Sequence, residues 1–144
     1  GLGVGHRPPP FAATDLEGQH HTLEDYAGKV LVLHFWASWC PYCRTQVKEL
    51  VELHTQWAQQ GVRVLSISVD DNLASLQQFV KEHAIPYPVV PDINSNPSVS
   101  EQYGVSGIPV TYVLAPDGRT AFRAAGAADL LPEVKRVVEA SPTT

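Results

Sequence analysis

The sequence predicts an α/β protein built around one mixed sheet with helices on its faces. Residues 30–36, 62–69 and 110–114 are strongly apolar and have the length of buried strands. Helix-like segments follow the first two, and a turn at residues 116–118 joins the third to another short strand. Alternating strands and helices that end in a hairpin and a last helix are typical of this class.

Prolines and glycines divide the first part of the chain. Residues 1–10 end in three consecutive prolines, so we predict an extended leader or linker there. Residues 11–23 indicate a short hairpin that turns at residues 15–18, and a helical turn is predicted at residues 23–26. The segment 30–36 is almost continuously apolar, as expected of a central strand that is covered on both faces.

A long helix is predicted from Pro41 to about Gln60. Gly61 is its expected stop, because glycine readily adopts the left-handed conformation that ends many helices. The apolar stripe of this helix is expected to contain Val47, Leu50, Val51, His54 and Trp57.

The middle of the chain continues the alternation. Residues 62–69 are the second predicted strand, and the Asp-Asp-Asn sequence at 70–72 supplies cap residues for a helix as far as His83. A short strand is predicted at residues 89–90 and a further helix at residues 97–103.

The chain closes with a strand at residues 110–114, its hairpin partner at 119–124 and a final helix near 130–140. A chain of 144 residues suits a single core. We therefore predict one domain over residues 11–140 and a frayed C-terminal tail at 141–144.

Composition argues against several classes of function. A formal charge of -5 and a pI near 5.6 argue against a nucleic-acid or anionic-membrane partner, because both need a basic surface. No apolar run approaches the roughly 18 residues of a membrane span. The chain has no methionine, so we expect that it begins downstream of its natural start, after a removed signal peptide or membrane anchor. A monomer is expected.

The chain has only two cysteines, Cys40 and Cys43, with two residues between them. A disulfide-stapled scaffold has more cysteines at wider spacings. A structural zinc site usually has a second pair of ligands, which the scattered histidines do not supply. We therefore expect redox chemistry and no metal site; an isolated coincidence and half of a metal site are the alternatives.

The cysteine pair lies where the central strand leads into the long helix. Residues three apart share a helix face, so the two sulfurs can meet in a small ring. Pro41 fits the first helical position, where its missing N–H costs nothing. The unpaired N–H groups and dipole of the helix start stabilise a thiolate. Cys40 is therefore the predicted nucleophile, and Cys43 is predicted to resolve the mixed disulfide.

Residues 35–43 (FWASWCPYC) resemble the active-site segment of the thioredoxin superfamily. The wider sequence is similar to its extracytoplasmic TlpA/ResA branch, which includes cytochrome c maturation proteins; the shared motifs lie at residues 15–18, 23–29, 67–70 and 103–109. The likeness runs from about Phe11 to Val138. It implies a thioredoxin fold with an N-terminal hairpin and a strand–helix unit inserted before Pro109.

The resemblance also implies a substrate-binding site. It makes Ile108-Pro109 a cis peptide beside the dithiol, where exposed backbone groups pair with an extended substrate strand. A trans proline that merely opens the next strand is the alternative. Trp39 is expected to shield the sulfurs and contact partners, whereas Trp36 is expected in the core.

The activity implied by the resemblance is disulfide exchange with cysteine-containing proteins, with apocytochrome c as one candidate. A membrane or soluble thiol-disulfide protein is the expected electron partner, and no nucleic acid is expected. No cofactor is expected besides the redox-active Cys40–Cys43 disulfide. The implied location is extracytoplasmic, in a bacterial periplasm, and the direction of electron flow stays open.

Three residues depart from the family pattern. His34 stands where members have a buried acid or an asparagine. It is either a proton relay to Cys43 (or a charge that lowers the pKa of the thiols) or a neutral core histidine bonded to backbone. Gln46 replaces a glutamate of the cytochrome-maturation reductases, and Lys48 replaces a proline that kinks this helix, so a straighter helix is expected.

The two residues between the cysteines, Pro41 and Tyr42, are those found in glutaredoxins. Residues at these positions tune the redox potential by stabilising the Cys40 thiolate, which favours the reduced dithiol. We therefore predict a potential above the roughly -270 mV of thioredoxin.

Two other functions use the same fold. A peroxiredoxin-like peroxidase has a threonine or serine three positions before its attacking cysteine, where this chain has Ala37. A copper-delivery module typically separates its cysteines by three residues and adds a distal histidine. His20 and His21 are expected to be solvated hairpin residues and not ligands.

Overall fold

The structure, a computed structural model, describes residues 1–141. The strands are β1 (Ala12–Thr14), β2 (His20–Thr22), β3 (Val30–Trp36), β4 (Val62–Ser68), β5 (Val89–Pro91), β6 (Val110–Leu114) and β7 (Thr120–Ala125). The helices are α1 (Pro41–Trp57), α2 (Leu73–Glu82), α3 (Val99–Gln102) and α4 (Leu130–Ala140). Short 3-10 turns lie at Leu23–Tyr26, Ala58–Gln60 and Asp92–Asn94.

Five strands form the central sheet in the order β5-β4-β3-β6-β7. The β3, β4 and β5 strands are parallel, while β6 is antiparallel to β3 and to β7. The β1-β2 hairpin is a separate two-stranded sheet, which the Leu16 N–H joins to the Val89 carbonyl of β5 at 2.9 Å. The predicted mixed sheet with its N-terminal hairpin and inserted strand–helix unit is confirmed.

The central strand β3 is buried along all seven residues. One face of it, with Val32 and Trp36, packs against the core that includes α1 and α4. The other face, with Leu33 and Phe35, packs against the aromatic side chain of Tyr103 and its neighbours. Two covered faces explain why this segment shows no alternation of apolar and polar residues.

The long helix α1 forms as predicted, with a 3-10 turn at Ala58–Gln60 and a left-handed Gly61 (φ 82°) at its end. It runs without interruption through Lys48. Its buried face differs from the predicted stripe and comprises Cys43, Gln46, Val47, Leu50 and Leu53. The burial follows the three- and four-residue steps that begin at Cys43, so Val51 and Trp57 are only half-buried.

Two shorter helices each begin at a capping residue, and only the first of these caps was predicted. Asn72 caps α2, since its side chain accepts a hydrogen bond from the Ser75 N–H at 3.0 Å. The helix predicted at residues 97–103 is shorter, because α3 begins only after Ser98, whose hydroxyl accepts from the Glu101 N–H and caps it.

The first ten residues lie against the sheet edge. The Gly5 N–H donates to the Thr120 carbonyl at 2.8 Å, and the Thr120 N–H donates to the His6 carbonyl at 2.9 Å. The Tyr103 hydroxyl donates to the Pro9 carbonyl at 2.7 Å. The division at residue 10 stays a prediction, and residues 142–144 of the predicted tail lie outside the described residues. Within residues 1–141, no helix is both long and apolar enough for a membrane span.

Candidate active site

The predicted site residues meet at one edge of the sheet. Parallel strands β3 and β4 both end there, so the dithiol segment follows β3 at the same edge at which Asp70 follows β4. Because β6 is antiparallel to β3 and Val110 pairs with Phe35, the preceding Ile108-Pro109 peptide lies at this edge as well. That peptide is cis, as the resemblance implied.

Cys40 is the N-cap residue of α1, and Pro41 follows at the start of the helix. The Cys40 sulfur accepts a hydrogen bond from the Cys43 N–H at 3.3 Å, as an N-cap side chain does. Both cysteines are free thiols. Cys40 is 6% exposed and Cys43 is fully buried, so Cys40 is the sulfur that a partner reaches.

Burial separates the acidities of the two sulfurs. Loss of solvation raises the pKa of the Cys43 thiol well above its usual range, and the hydrogen bond with Cys40 raises it further. Cys43 is therefore a poor nucleophile until its proton is removed. This difference suits an outer attacking sulfur and an inner resolving one.

His34 and Gln46, two departures from the family pattern, are hydrogen-bonded to each other. The distance between His34 Nε2 and Gln46 Oε1 is 2.8 Å, and both side chains are buried. Gln46 Nε2 donates to the Ala128 carbonyl at 3.4 Å, which turns its oxygen toward the imidazole. Because Oε1 can only accept, His34 Nε2 carries the proton and donates. The partner of His34 is thus a side chain and not the backbone.

Burial lowers the pKa of His34 to about 4, although the hydrogen bond that its Nε2 donates to Gln46 acts in the opposite direction. The imidazole is therefore neutral near pH 7. His34 Nδ1 makes no hydrogen bond within residues 1–141, and the same holds for the hydroxyls of Ser66 and Thr111, its neighbours in register on β4 and β6. A positively charged His34 that lowers the pKa of the thiols would require a pH near or below 4.

The aromatic residues of the motif differ in burial, and the core position predicted for Trp36 is confirmed. Trp36 is fully buried and packs on Phe79 with ring centroids 5.3 Å apart. Trp39 and Tyr42 are 64% and 67% exposed, beside a largely buried Cys40. Large exposed apolar side chains next to a reactive sulfur form a surface on which a polypeptide can dock.

Two surface grooves flank the dithiol segment. One is lined by Tyr42, Gln46 and Glu49 of α1 and by residues 127–129. The other is lined by residues 104, 106–110, Arg123 and residues 125–126, and so includes the cis peptide. They approach each other at residues 126 and 127.

No signal in the sequence predicts one polar network that lies beside the dithiol. Asp70, directly after β4, accepts hydrogen bonds from the amide and hydroxyl of Ser38 at 2.9 and 2.5 Å. Residues 67–70 resemble a family motif, but that likeness carried no role for the carboxylate.

Within residues 1–141, no three histidine, cysteine or acidic side chains lie close enough together to hold a metal ion.

Comparison with known proteins agrees with this geometry. The sequence signature of the AhpC/TSA family matches residues 4–123. The thiol-disulfide oxidoreductase ResA of Geobacillus thermodenitrificans is 32% identical over 82% of this chain and 67% of its own length. ResA of Bacillus subtilis is 29% identical over 82% of this chain and 65% of its length. The chain spans about two thirds of the length of these relatives.

Solved structures share the fold. The thioredoxin domain of a thiol-disulfide oxidoreductase from Bacteroides vulgatus superposes with a TM-score of 0.84 at 23% identity, over 96% of this chain and 99% of that one. A thiol:disulfide interchange protein of the thioredoxin family from Chlorobium tepidum gives a TM-score of 0.80 at 24% identity, over 92% and 93% of the two chains.

Fold, dithiol and relatives together define a thiol-disulfide oxidoreductase of the thioredoxin superfamily. Such an enzyme takes cysteine-containing proteins as its general class of substrate. More narrowly, the chain belongs to the AhpC/TSA family and to its ResA-like thiol-disulfide oxidoreductases.

Proposed function

We propose that this protein exchanges disulfides through Cys40 as the attacking sulfur and Cys43 as the resolving sulfur. The observation that carries the proposal is the contact at the start of α1, where the Cys43 N–H donates to the Cys40 sulfur while Cys43 itself is buried. An N–H aimed at the outer sulfur favours its thiolate form, which is the reactive form.

In the reducing direction, the Cys40 thiolate attacks one sulfur of a substrate disulfide. The substrate S–S bond breaks, a mixed disulfide forms on Cys40, and the other substrate sulfur leaves as a thiolate that takes up a proton. Cys43 then loses its proton and attacks the Cys40 sulfur, which releases the second substrate thiolate. Two electrons pass to the substrate and the Cys40–Cys43 disulfide remains; oxidation of a substrate reverses these steps.

His34 supports the site mainly as a neutral polar partner of Gln46. A base whose conjugate acid has a pKa near 4 removes a proton only unfavourably from a thiol whose pKa is raised. Gln46 lies one turn after Cys43 on the buried face of α1, so the His34–Gln46 bond fixes the helix face that holds the resolving sulfur.

Substrates are proposed to dock on Trp39 and Tyr42 and to extend past the cis Ile108-Pro109 peptide. The exposure of both aromatic rings and the groove that includes Pro109 support this path. Apocytochrome c is the candidate substrate that the resemblance to the TlpA/ResA branch implies. The same resemblance supports work in a bacterial periplasm with a thiol-disulfide electron partner.

The test is to trap the mixed disulfide. Cys43→Ala should accumulate disulfide-linked substrates on Cys40 in an extract of extracytoplasmic proteins, because no resolving sulfur can release them. Cys40→Ala, which keeps Cys43, is the matched control and should capture far less. Equal capture by the two variants, or none by either, would contradict the assignment; the captured proteins identify substrate and electron partner.

The two alternative functions predict different measurements. A peroxidase would consume hydrogen peroxide rapidly at Cys40, whereas Ala37 has no hydroxyl to assist that reaction. A copper carrier would bind one copper ion per reduced dithiol and exchange no disulfides. A disulfide exchange rate with insulin that greatly exceeds peroxide consumption supports the oxidoreductase.

A further inference from the structure

The Asp70 carboxylate holds the loop that precedes the dithiol. Its Oδ1 accepts hydrogen bonds from the Ser38 N–H at 2.9 Å and the Ser68 hydroxyl at 2.6 Å. Its Oδ2 accepts one from the Ser38 hydroxyl at 2.5 Å. Both oxygens of this buried carboxylate thus accept hydrogen bonds from Ser38, which lies 32 positions away in the sequence and two positions before Cys40.

Arg44 holds the same loop from the other side of the motif. Its Nε donates to the Ser38 carbonyl at 2.8 Å, and its guanidinium lies over the Phe79 ring, 5.2 Å from the centroid. Arg44 directly follows Cys43. Ser38 is therefore hydrogen-bonded through all three of its polar groups: its amide and hydroxyl donate to Asp70, and its carbonyl accepts from Arg44.

We infer that Asp70 is a positioning residue for disulfide exchange and acts through Ser38. The loop turns by a hydrogen bond from the Cys40 N–H to the Ala37 carbonyl at 3.2 Å, so the orientation of Ser38 sets that of Cys40. With Ser38 held by three hydrogen bonds, the Cys40 sulfur keeps its position as the acceptor of the hydrogen bond from the Cys43 N–H. The inference rests on the proposed function, because it concerns the reactivity of the same sulfur.

The environment of Asp70 makes its hydrogen bonds with Ser38 costly to break. Asp70 is 4% exposed and forms no ion pair within the described part of the chain, so Ser38 and Ser68 are its side-chain partners. A buried carboxylate that loses its donors is strongly disfavoured. The loop therefore cannot leave Asp70 without exposing or orphaning that carboxylate, which favours one loop conformation throughout the catalytic cycle.

The test measures the reactivity of Cys40 in reduced variants of the 144-residue chain. Alkylation by iodoacetamide between pH 5 and pH 9 reports on Cys40, because Cys43 is fully buried. Asp70→Asn keeps the size of the side chain but replaces the Oδ2 acceptor with a donor. We expect its alkylation rate at pH 7 to fall by about threefold or more, which is the effect of losing one net hydrogen bond. We also expect the rise of this rate with pH to shift to higher pH.

Ser38→Ala is the second variant and should show a change of the same sign and similar size. It keeps the bond between Asp70 and Ser68, so it serves if Asp70→Asn does not fold. The double variant should be no more than about twofold slower than the slower single variant, because the two side chains act as one unit. Asp71→Asn, an exposed neighbour with the same change of charge, is the matched control and should stay within twofold of wild type.

Three outcomes would overturn the inference. Equal effects of Asp70→Asn and Asp71→Asn would indicate long-range charge. Lower thermal stability with an unchanged alkylation profile would indicate a purely structural role, and fully additive effects would mean that Asp70 does not act through Ser38. If wild type exchanged no disulfide while alkylation still depended on Asp70, the proposed function would fail and the positioning would stand.

Discussion

At the scale of single residues, two departures from the family pattern explain each other. A histidine on a strand buried on both faces needs a polar partner, and Gln46 supplies it at 2.8 Å. A glutamate at this position would place a charge against the imidazole, whereas glutamine leaves both groups neutral. The pair is a matched substitution in the core beneath the dithiol.

Replacing His34 should change how stability depends on pH. The pKa of His34 is lowered from 6.5 to about 4, so between these values the unfolded chain binds a proton that the folded chain does not. Stability from this group is complete above pH 6.5 and is lost as the pH falls toward 4, by roughly 3 kcal/mol. His34→Asn should remove this loss in urea unfolding at pH 7 and pH 4.5.

The exposed His20→Asn is the control for that measurement, and its pH dependence should follow wild type. The prediction concerns the slope with pH and not the stability at pH 7, which the smaller asparagine will lower by leaving space. A His34→Asn protein that loses as much stability as wild type between pH 7 and pH 4.5 would contradict a neutral buried histidine.

Trp39→Ala should separate docking from chemistry. Trp39 is 64% exposed, so its loss should change the free energy of unfolding by less than about 0.5 kcal/mol. We expect the KM for insulin to rise by about fivefold, as for a contact residue worth ~1 kcal/mol, with little change for a small disulfide. Val4→Ala, also exposed but on the leader, is the control. Equal effects on both substrates would argue against docking.

At the scale of elements, buried or half-buried carboxylates fasten one element to another. Glu49 of α1 accepts from the Leu130 and Leu131 N–H groups at 2.8 and 3.0 Å, which caps α4 in place of its own N-cap residue, Asp129. Asp92 accepts from the Val99 N–H at 2.8 Å and so holds the start of α3. Each cap also fixes the distance between two elements.

Glu49→Ala should therefore lower the free energy of unfolding by about 1–2 kcal/mol, the usual effect of losing an N-cap. The matched control is Glu52→Ala on the same helix, which should change stability by less than about 0.5 kcal/mol. Urea unfolding at pH 7 measures both. Similar losses in the two variants would indicate a general effect of helix charge and not a cap.

At the scale of the whole molecule, the redox potential of the Cys40–Cys43 pair depends on how strongly its surroundings stabilise the reduced dithiol. A helix N–H on the outer sulfur stabilises the reduced dithiol, and this makes the disulfide more oxidising. Equilibration with glutathione should give a potential above the roughly -270 mV of thioredoxin. A value at or below that figure would contradict the stabilisation of the Cys40 thiolate that the sequence predicts.

Local sequence signals predicted most elements and the centre of the site. Periodicity and cap residues placed β3, α1, α2 and α4 within a few residues, because these signals act over one or two turns. They misplaced the buried stripe of α1, where tertiary packing buries Leu53 instead of Val51, and the start of α3, where the cap at Ser98 decided. Such choices depend on neighbours that are distant in sequence.

The sequence by itself determined the reactive pair and its place at a helix start, and its resemblance to the thioredoxin superfamily implied that Pro109 lies beside that pair. Only the tertiary structure decided which hydrogen bonds hold this site. These bonds join residues that are 12, 32 and 81 positions apart: His34 with Gln46, Ser38 with Asp70, and Leu130 of α4 with Glu49. Spacing along a chain shows which residues share a helix face or a strand face. Which buried donor meets which acceptor depends on how those faces pack, and a single sequence does not contain that pairing.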